Sequence, residues 1–247
     1  MKWLKHIPLT AVAAVLCTMQ AQAGVVISGT RVVFPGNENE VTVQLTNDAK
    51  RPALVQAWLD DGDRHASPET VDVPFTLTPA MFRMEPGNGQ TLRLIHTGEP
   101  LPADRESLFW LNVLDIPPQA DETDARNRIQ LAVRSRIKVM YRPAALQGNA
   151  GDAPKQLVWR VVRTDNGQPA LEAVNPTPFV VNFGNVRLKS QGGKYEAGAG
   201  YVLPRASARF PLQNFTGTPG ANAMVEFGGI NDWGATKDLE LPLSPAR

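Results

Sequence analysis

The sequence predicts an all-β protein whose first half is a β-sandwich of immunoglobulin type. Apolar and polar residues alternate with a period of two, as in residues 41–46 and 91–95, which is typical of strands with one buried face. Clusters of Pro, Gly and Asn at residues 35–37 and 85–89 indicate turns between such runs. The first half holds about seven of these runs, the number that an immunoglobulin-type sandwich requires, although the Cys…Trp…Cys framework of antibody domains is absent.

The candidate strands follow one another along the chain and are bounded by turn signals. The first ends at the turn of residues 35–37, the third at a polar turn over residues 60–65, and the last before Pro143. These strands are residues 25–34, 40–47, 53–60, 72–78, 91–96, 106–115 and 128–141.

A change in composition predicts a second β domain. Residues 147–154 are small and polar, which indicates a linker or a long inter-strand loop. We therefore predict an N-terminal domain over residues 24–146 and a C-terminal domain over residues 147–247. Short strands continue in the second domain, at residues 157–164, 169–173, 179–188, 206–213, 223–229 and 237–242. The glycines at 192–193 and 198–200 do not have phosphate-loop spacing, and we interpret them as loop residues.

The first 23 residues have the pattern of an export signal. Lys2 and Lys5 precede an apolar core from Leu9 to Leu16, and Ala21-Gln22-Ala23 is a small-residue cleavage site. The core is shorter than the roughly 20 residues of a spanning helix, which argues against an uncleaved anchor. A lipoprotein signal would need a small residue before Cys17. Cleavage removes this only cysteine, so the mature chain would have no disulfide.

Composition and motifs point away from catalysis and from nucleic acid. The formal net charge of +1 provides no general attraction to nucleic acid or to an anionic membrane. After the signal only His65 and His96 remain, without a metal-ligand spacing or a serine elbow nearby. The acidic run at residues 60–65 lacks the closing Glu of a calcium loop and is interpreted as a turn. We expect no enzyme activity, no metal and no cofactor.

One predicted strand is unusually long. Residues 129–141 would span roughly 40 Å, well beyond the common strand length. Alternation places Ile129, Leu131 and Val133 on one face. These residues either pack on their own sandwich, or they form an edge that is donated to a partner by strand addition.

Several segments, in order, resemble the periplasmic pilus-assembly chaperones of the chaperone–usher pathway. The resemblance covers essentially the whole mature chain. The segments are RESLFWLNV at residues 105–113 with IPP at 116–118, TRVVF at 30–34, LTND at 45–48, IKVMYRP at 137–143 and NPTP at 175–178.

The resemblance implies two immunoglobulin-like β-sandwich domains in an angled, boomerang arrangement, with a cleft between them. Arg31 and Lys138 match the cleft pair that binds the C-terminal carboxylate of a pilus subunit. Ile129, Leu131 and Val133 match the donor strand that caps the subunit until an outer-membrane usher accepts it. The family's location implies the periplasm, without nucleic acid or stable membrane insertion. A dimer that caps the donor edges of the free protein is physically reasonable.

Further implied features concern geometry. Glu106, Arg142 and Asp232 match an ionic network between the domains, and the peptide bond before Pro79 matches a family cis bond. Alternation puts Lys138 on the face opposite the donor residues, so we expect a bulge or strong twist if both meet one ligand. Two other classes fit the sequence less well: a fimbrial subunit, which usually has a disulfide, and a periplasmic hydrolase or sugar-binding module, which needs a catalytic triad or clustered aromatic residues.

Overall fold

The computed structural model describes residues 24–118 and 130–244. The predicted export signal, Cys17 and Ile129 lie outside these residues. Sixteen strands lie within the described ranges: β1 (Val25–Ile27), β2 (Arg31–Pro35), β3 (Glu40–Asn47), β4 (Ala53–Asp60), β5 (Phe75–Thr78), β6 (Met81–Met84), β7 (Gly89–His96), β8 (Ser107–Ile116), β9 (Val133–Arg142), β10 (Val158–Arg163), β11 (Pro169–Val174), β12 (Val181–Ser190), β13 (Gly193–Val202), β14 (Ser207–Pro211), β15 (Met224–Ile230) and β16 (Thr236–Pro242). The all-β prediction is therefore confirmed.

The strands form two sandwiches, each around its own core. In the first, sheet β1-β3-β7-β5 faces sheet β2-β9-β8-β4-β6, and in the second, sheet β10-β11-β14 faces sheet β13-β12-β15-β16. Phe34, Leu92 and Leu111 are fully buried in the first core, and Trp159 is fully buried in the second. Within the described residues, no helix has the length and apolar character needed to cross a membrane.

The first predicted strand, residues 25–34, is divided in two. Its first part, β1, pairs with β3 in one sheet, and its second part, β2, pairs with β9 in the other. The chain crosses between the sheets at Gly29, whose φ of 142° is a left-handed conformation that favours glycine. Alternation predicts strand character but not a change of sheet, and the change is what brings Arg31 beside β9.

One other prediction is corrected by the fold. The glycines at 193, 198 and 200 lie within β13. Gly198 has a φ of 90° and sits where the register with β12 is irregular, and a β-carbon on Gly200 would lie 2.9 Å from Phe210. Residues 147–154, interpreted as a linker or a long inter-strand loop, overlap a 3-10 helix, Ala150–Gln156, whose Ala153 is fully buried in the second core.

Two of the sequence motifs hold loops in place. The side-chain amide of Asn47 donates to the carbonyls of Arg51, at 2.9 Å, and Met84, at 3.1 Å. Asn175 donates in the same way to the carbonyls of Phe179, at 2.7 Å, and Leu203, at 3.0 Å. Both asparagines are buried, and their amides satisfy backbone carbonyls that the adjoining strands leave unpaired.

Candidate functional site

The only parallel strand pair among the described strands creates the candidate site. β2 pairs with β9 in a register that sets Arg31 beside Lys138. Neighbouring strands lie about 4.8 Å apart, and paired residues project from the same face of a sheet. Two positive side chains that are far apart in sequence therefore stand next to each other, on the face that looks towards the second sandwich.

The ammonium of Lys138 is held by residues from both sandwiches. Its Nζ donates to Asn182 Oδ1 at 2.5 Å and lies 4.4 Å from the ring centroid of Tyr201 and 5.4 Å from that of Trp110. Cation–π contacts of this kind favour the charged form. Burial, with a smaller contribution from the charge of Arg31, nevertheless lowers the pKa of Lys138 to about 8.

The guanidinium of Arg31 is half-buried and incompletely hydrogen-bonded. Its Nε donates to Thr30 Oγ1 at 3.5 Å, whereas its Nη1 is buried and has no hydrogen-bond partner. Burial lowers the pKa of Arg31, and the nearby charge of Asp232 opposes that change. Within residues 24–118 and 130–244, neither Arg31 nor Lys138 forms an ion pair with a carboxylate. The pair is suited to an incoming anion that accepts hydrogen bonds from both.

Next to the cations, β9 presents a strand edge. β2 pairs only with residues 138–142 of β9, so in the part of the chain that the structure describes, no strand covers that edge from Val133 to Ile137. Leu131 is 70% exposed and Val133 is 58% exposed. Val139, on the same face, is fully buried in the core. The apolar stripe of this strand therefore continues beyond the sandwich.

Of the bulge or strong twist expected in this strand, no bulge occurs between Val133 and Tyr141. β8 and β9 keep an unbroken register from Asp115↔Val133 to Ser107↔Tyr141, so Lys138 does face away from Val133. One chain can still meet both features, because the side chains of a strand added at the sheet edge alternate between the two faces, while its main-chain carboxylate lies near the sheet plane. The observed strand also begins later than predicted, because Leu131 precedes β9.

An ionic network joins the sandwiches beside the cations. Arg142 donates to Glu106 Oε1 at 2.6 Å and to both carboxylate oxygens of Asp232, at 2.8 and 2.9 Å. Glu106 Oε2 also accepts the N–H of Val180 at 2.7 Å. Burial raises the pKa of Glu106, and the charge of Arg142 only partly offsets this. Burial alone would lower the pKa of Arg142, but its bonds to Asp232 and Glu106 raise it.

Sequence patterns did not identify the residues that support Lys138. Asn182 and Tyr201 belong to the second sandwich and carry no motif that links them to Lys138. Trp110 lies inside the RESLFWLNV segment, and Arg136 stacks on it at 4.2 Å from the ring centroid. Asp60, predicted as the last residue of strand 53–60 and the first of the polar turn, is the buried last residue of β4 and pairs with Arg136. Among the described side chains, no cluster could hold a metal ion.

Comparison with known protein families covers both sandwiches. Residues 24–147 match the model of the "Pili and flagellar-assembly chaperone, PapD N-terminal domain". Residues 152–241 match the model of the "Pili assembly chaperone PapD, C-terminal domain".

Individual relatives agree with these models. The chaperone protein FimB/FhaD of Bordetella pertussis is 40% identical over 95% of this chain and 98% of its own length. The crystal structure of the YadV chaperone is 37% identical, with a TM-score of 0.76 over 90% of this chain and all of that chain. A complex of Salmonella enterica SafA pilin with the SafB chaperone matches with 28% identity and a TM-score of 0.72, over 89% of this chain and 96% of the matched one.

Proposed function

This chain belongs to the PapD family of pili and flagellar-assembly chaperones, and from that premise we propose that it binds incompletely folded pilus subunits in the periplasm and delivers them to an outer-membrane usher. One observation carries the proposal: two cations that form no ion pair within the described residues lie beside a strand edge that no described strand covers and that exposes Leu131 and Val133. The cation pair can bind an anion and the strand edge can pair with another strand. The last strand of a pilus subunit, with its terminal carboxylate, would satisfy both.

The cations would bind the terminal carboxylate of the subunit. Arg31 offers a planar fork and Lys138 a point charge, so together they can donate to both carboxylate oxygens. The arrangement also determines direction. A chain that ends at Lys138 and lies beside residues 131–137 runs in the same direction as β9, and its position along β9 is set by its last residue.

The exposed edge would complete the subunit's own sheet. Main-chain hydrogen bonds from β9 cover an unpaired edge of the subunit, which would otherwise aggregate. Ile129, Leu131 and Val133 would enter its apolar groove. Burial of three aliphatic side chains contributes about 5 to 8 kcal/mol before the costs of association. This binding needs neither a cofactor nor a catalytic group, and we propose that the protein is not an enzyme.

The two sandwiches would divide this work. We propose that residues 24–146 supply the donor strand and both cations. Residues 147–247 would support the cleft through Asn182 and Tyr201, which contact Lys138. The network of Glu106, Arg142 and Asp232 would hold the domains at a constant angle.

Purification of the tagged protein from the periplasm of its native host tests the function directly. The wild type is expected to recover secreted β-rich subunits at a one-to-one ratio, identified by mass spectrometry. Leu131→Ala/Val133→Ala removes the exposed apolar side chains of the edge and is expected to weaken subunit binding roughly 100-fold.

Met81→Ala is the matched control, because Met81 is 56% exposed on β6, at the opposite edge of the same sheet. It should recover subunits as the wild type does. Absence of subunits from the wild-type sample would reject the chaperone function. Undiminished recovery by the double variant would reject the donor edge alone.

The affinity for pilus subunits is expected to fall as the pH rises above about 8, the pKa of Lys138 in the free protein. A bound carboxylate favours the ammonium and therefore raises the pKa of Lys138. At a pH above the pKa of the free protein, binding then takes up a proton, and the affinity falls by at most about tenfold per pH unit. Titration calorimetry with a peptide that carries the last residues of a pilus subunit would measure this. Lys138→Arg is the control, since a guanidinium keeps its charge in this range and should give a flat profile. A sloping profile in that variant would assign the titration to another group.

A further inference from the structure

The hairpin turn between β15 and β16 carries a solvent-exposed tryptophan. Trp233 is 92% exposed, the largest value among the exposed large apolar residues of the described chain. In contrast, Trp58 is 8% exposed and Trp159 is fully buried. Trp110 packs between Arg136 and Tyr201. A full indole in water is uncommon, because its apolar area is large.

The turn is held in one conformation. Asn231 Oδ1 accepts the N–H of Trp233 at 3.0 Å and that of Ala235 at 2.9 Å, and the carbonyl of Asn231 accepts the N–H of Gly234 at 3.0 Å. Asp232 forms its two bonds to Arg142. The backbone therefore cannot move the indole out of solvent without breaking these bonds. An aromatic side chain has few rotatable bonds, so it loses little conformational entropy when a partner covers it.

The turn also lies against the first sandwich, beside the cation pair. A β-carbon on Gly234 would lie only 2.8 Å from Thr30 Oγ1, and Gly234 has a φ of 85°. Thr30 directly precedes Arg31, and the charge of Asp232 acts on Arg31. Trp233 thus lies between Asp232, which binds Arg142, and Gly234, which lies against Thr30.

We propose that Trp233 is a docking contact for the pilus subunit, and that an apolar or aromatic side chain close to the subunit's C-terminus packs on the indole. This inference rests on the proposed function. We assign the subunit as the partner of Trp233 because the cation pair would bring the subunit's last residues to this end of the cleft. Aromatic residues that are preorganised at a binding surface commonly carry a large share of its affinity.

Two measurements test the contact, both with the full mature chain and a subunit identified by copurification. The first is calorimetric affinity. Trp233→Ala is expected to weaken binding roughly tenfold, whereas Trp233→Phe should stay within about threefold of the wild type. Met81→Ala, which removes another exposed apolar side chain, should bind unchanged.

The second measurement is quenching of tryptophan fluorescence by neutral acrylamide. The quenchable emission of the free protein should come from Trp233, be missing in Trp233→Ala, and become protected when a tryptophan-free subunit peptide binds. Equal affinity of Trp233→Ala and wild type, with unchanged quenching in the complex, would overturn the inference while leaving the chaperone function intact. Protection by a second copy of the chain, without peptide, would overturn the choice of partner. Failure of the wild type to bind any subunit would reject the proposed function and this inference with it.

Discussion

Arg31→Ala/Lys138→Ala is expected to abolish recovery of pilus subunits from the periplasm. Each cation would donate charge-assisted hydrogen bonds to the subunit's carboxylate, and such bonds contribute about 1.5–3 kcal/mol apiece. Loss of both corresponds to about 3–6 kcal/mol, or roughly 10²- to 10⁴-fold in Kd. Calorimetry with a peptide that ends in the last residues of a pilus subunit would give the magnitude. The folded protein should tolerate the change, because neither side chain has an acidic partner to leave unpaired within the described residues.

Two controls separate the anchor from general electrostatic attraction. Lys50→Ala/Arg51→Ala removes the same charge from exposed positions and should bind as the wild type does. An amidated peptide should bind the wild type as weakly as the free-acid peptide binds the double variant. Retention of subunits by Arg31→Ala/Lys138→Ala would leave the chaperone function in place and reject the anchor. Equal affinity for acid and amide peptides would do the same.

Arg142→Ala is expected to lower the free energy of unfolding by about 3–5 kcal/mol, the usual cost of removing one partner from a buried ion pair. The Glu106 side chain is fully buried, and Arg142 is its ion-pair partner. Without that partner, Glu106 must either remain charged in a poorly solvated site or take up a proton. Urea denaturation, followed by circular dichroism, would measure the loss. Small-angle scattering would detect a wider distribution of domain angles, because the bonds to Asp232 also disappear.

The pH dependence of the free energy of unfolding of Arg142→Ala tests whether the unpaired Glu106 causes the loss of stability. Burial already raises the pKa of Glu106, and loss of Arg142 should raise it further. For an acid whose folded pKa exceeds its unfolded value, stability falls as the pH rises through that interval, so the deficit should shrink on acidification. Arg142→Met/Glu106→Gln removes both charges of the buried pair and leaves only the partly exposed Asp232 without its partner, so it should recover much of the lost stability. A loss of stability that does not depend on pH, or that is equally large in the double variant, would contradict the ion-pair explanation.

Sequence patterns predicted much of the first sandwich because its strands each bury one face. Residues 41–46 alternate in the sequence, and the structure buries Val43 and Leu45 in β3. The interpretation failed where a single residue type has several roles. Gly198 and Gly200 resemble loop glycines, but both lie in β13. Glycine is favoured at these strand positions because Gly198 has a left-handed conformation and the ring of Phe210 leaves no room for a β-carbon on Gly200. Leu131 has the pattern of a strand, yet it precedes β9.

The amino-acid sequence alone determined the local properties of this protein: which residues alternate, where the chain turns, and which family motifs it carries. Local pattern encodes backbone preference and burial, so these properties could be inferred residue by residue. Only the tertiary structure decided which distant residues meet. The parallel register of β2 and β9 sets Arg31 beside Lys138, and the packing of the sandwiches brings Asn182 to the ammonium. Such contacts depend on sheet order and domain packing, which no short stretch of sequence specifies.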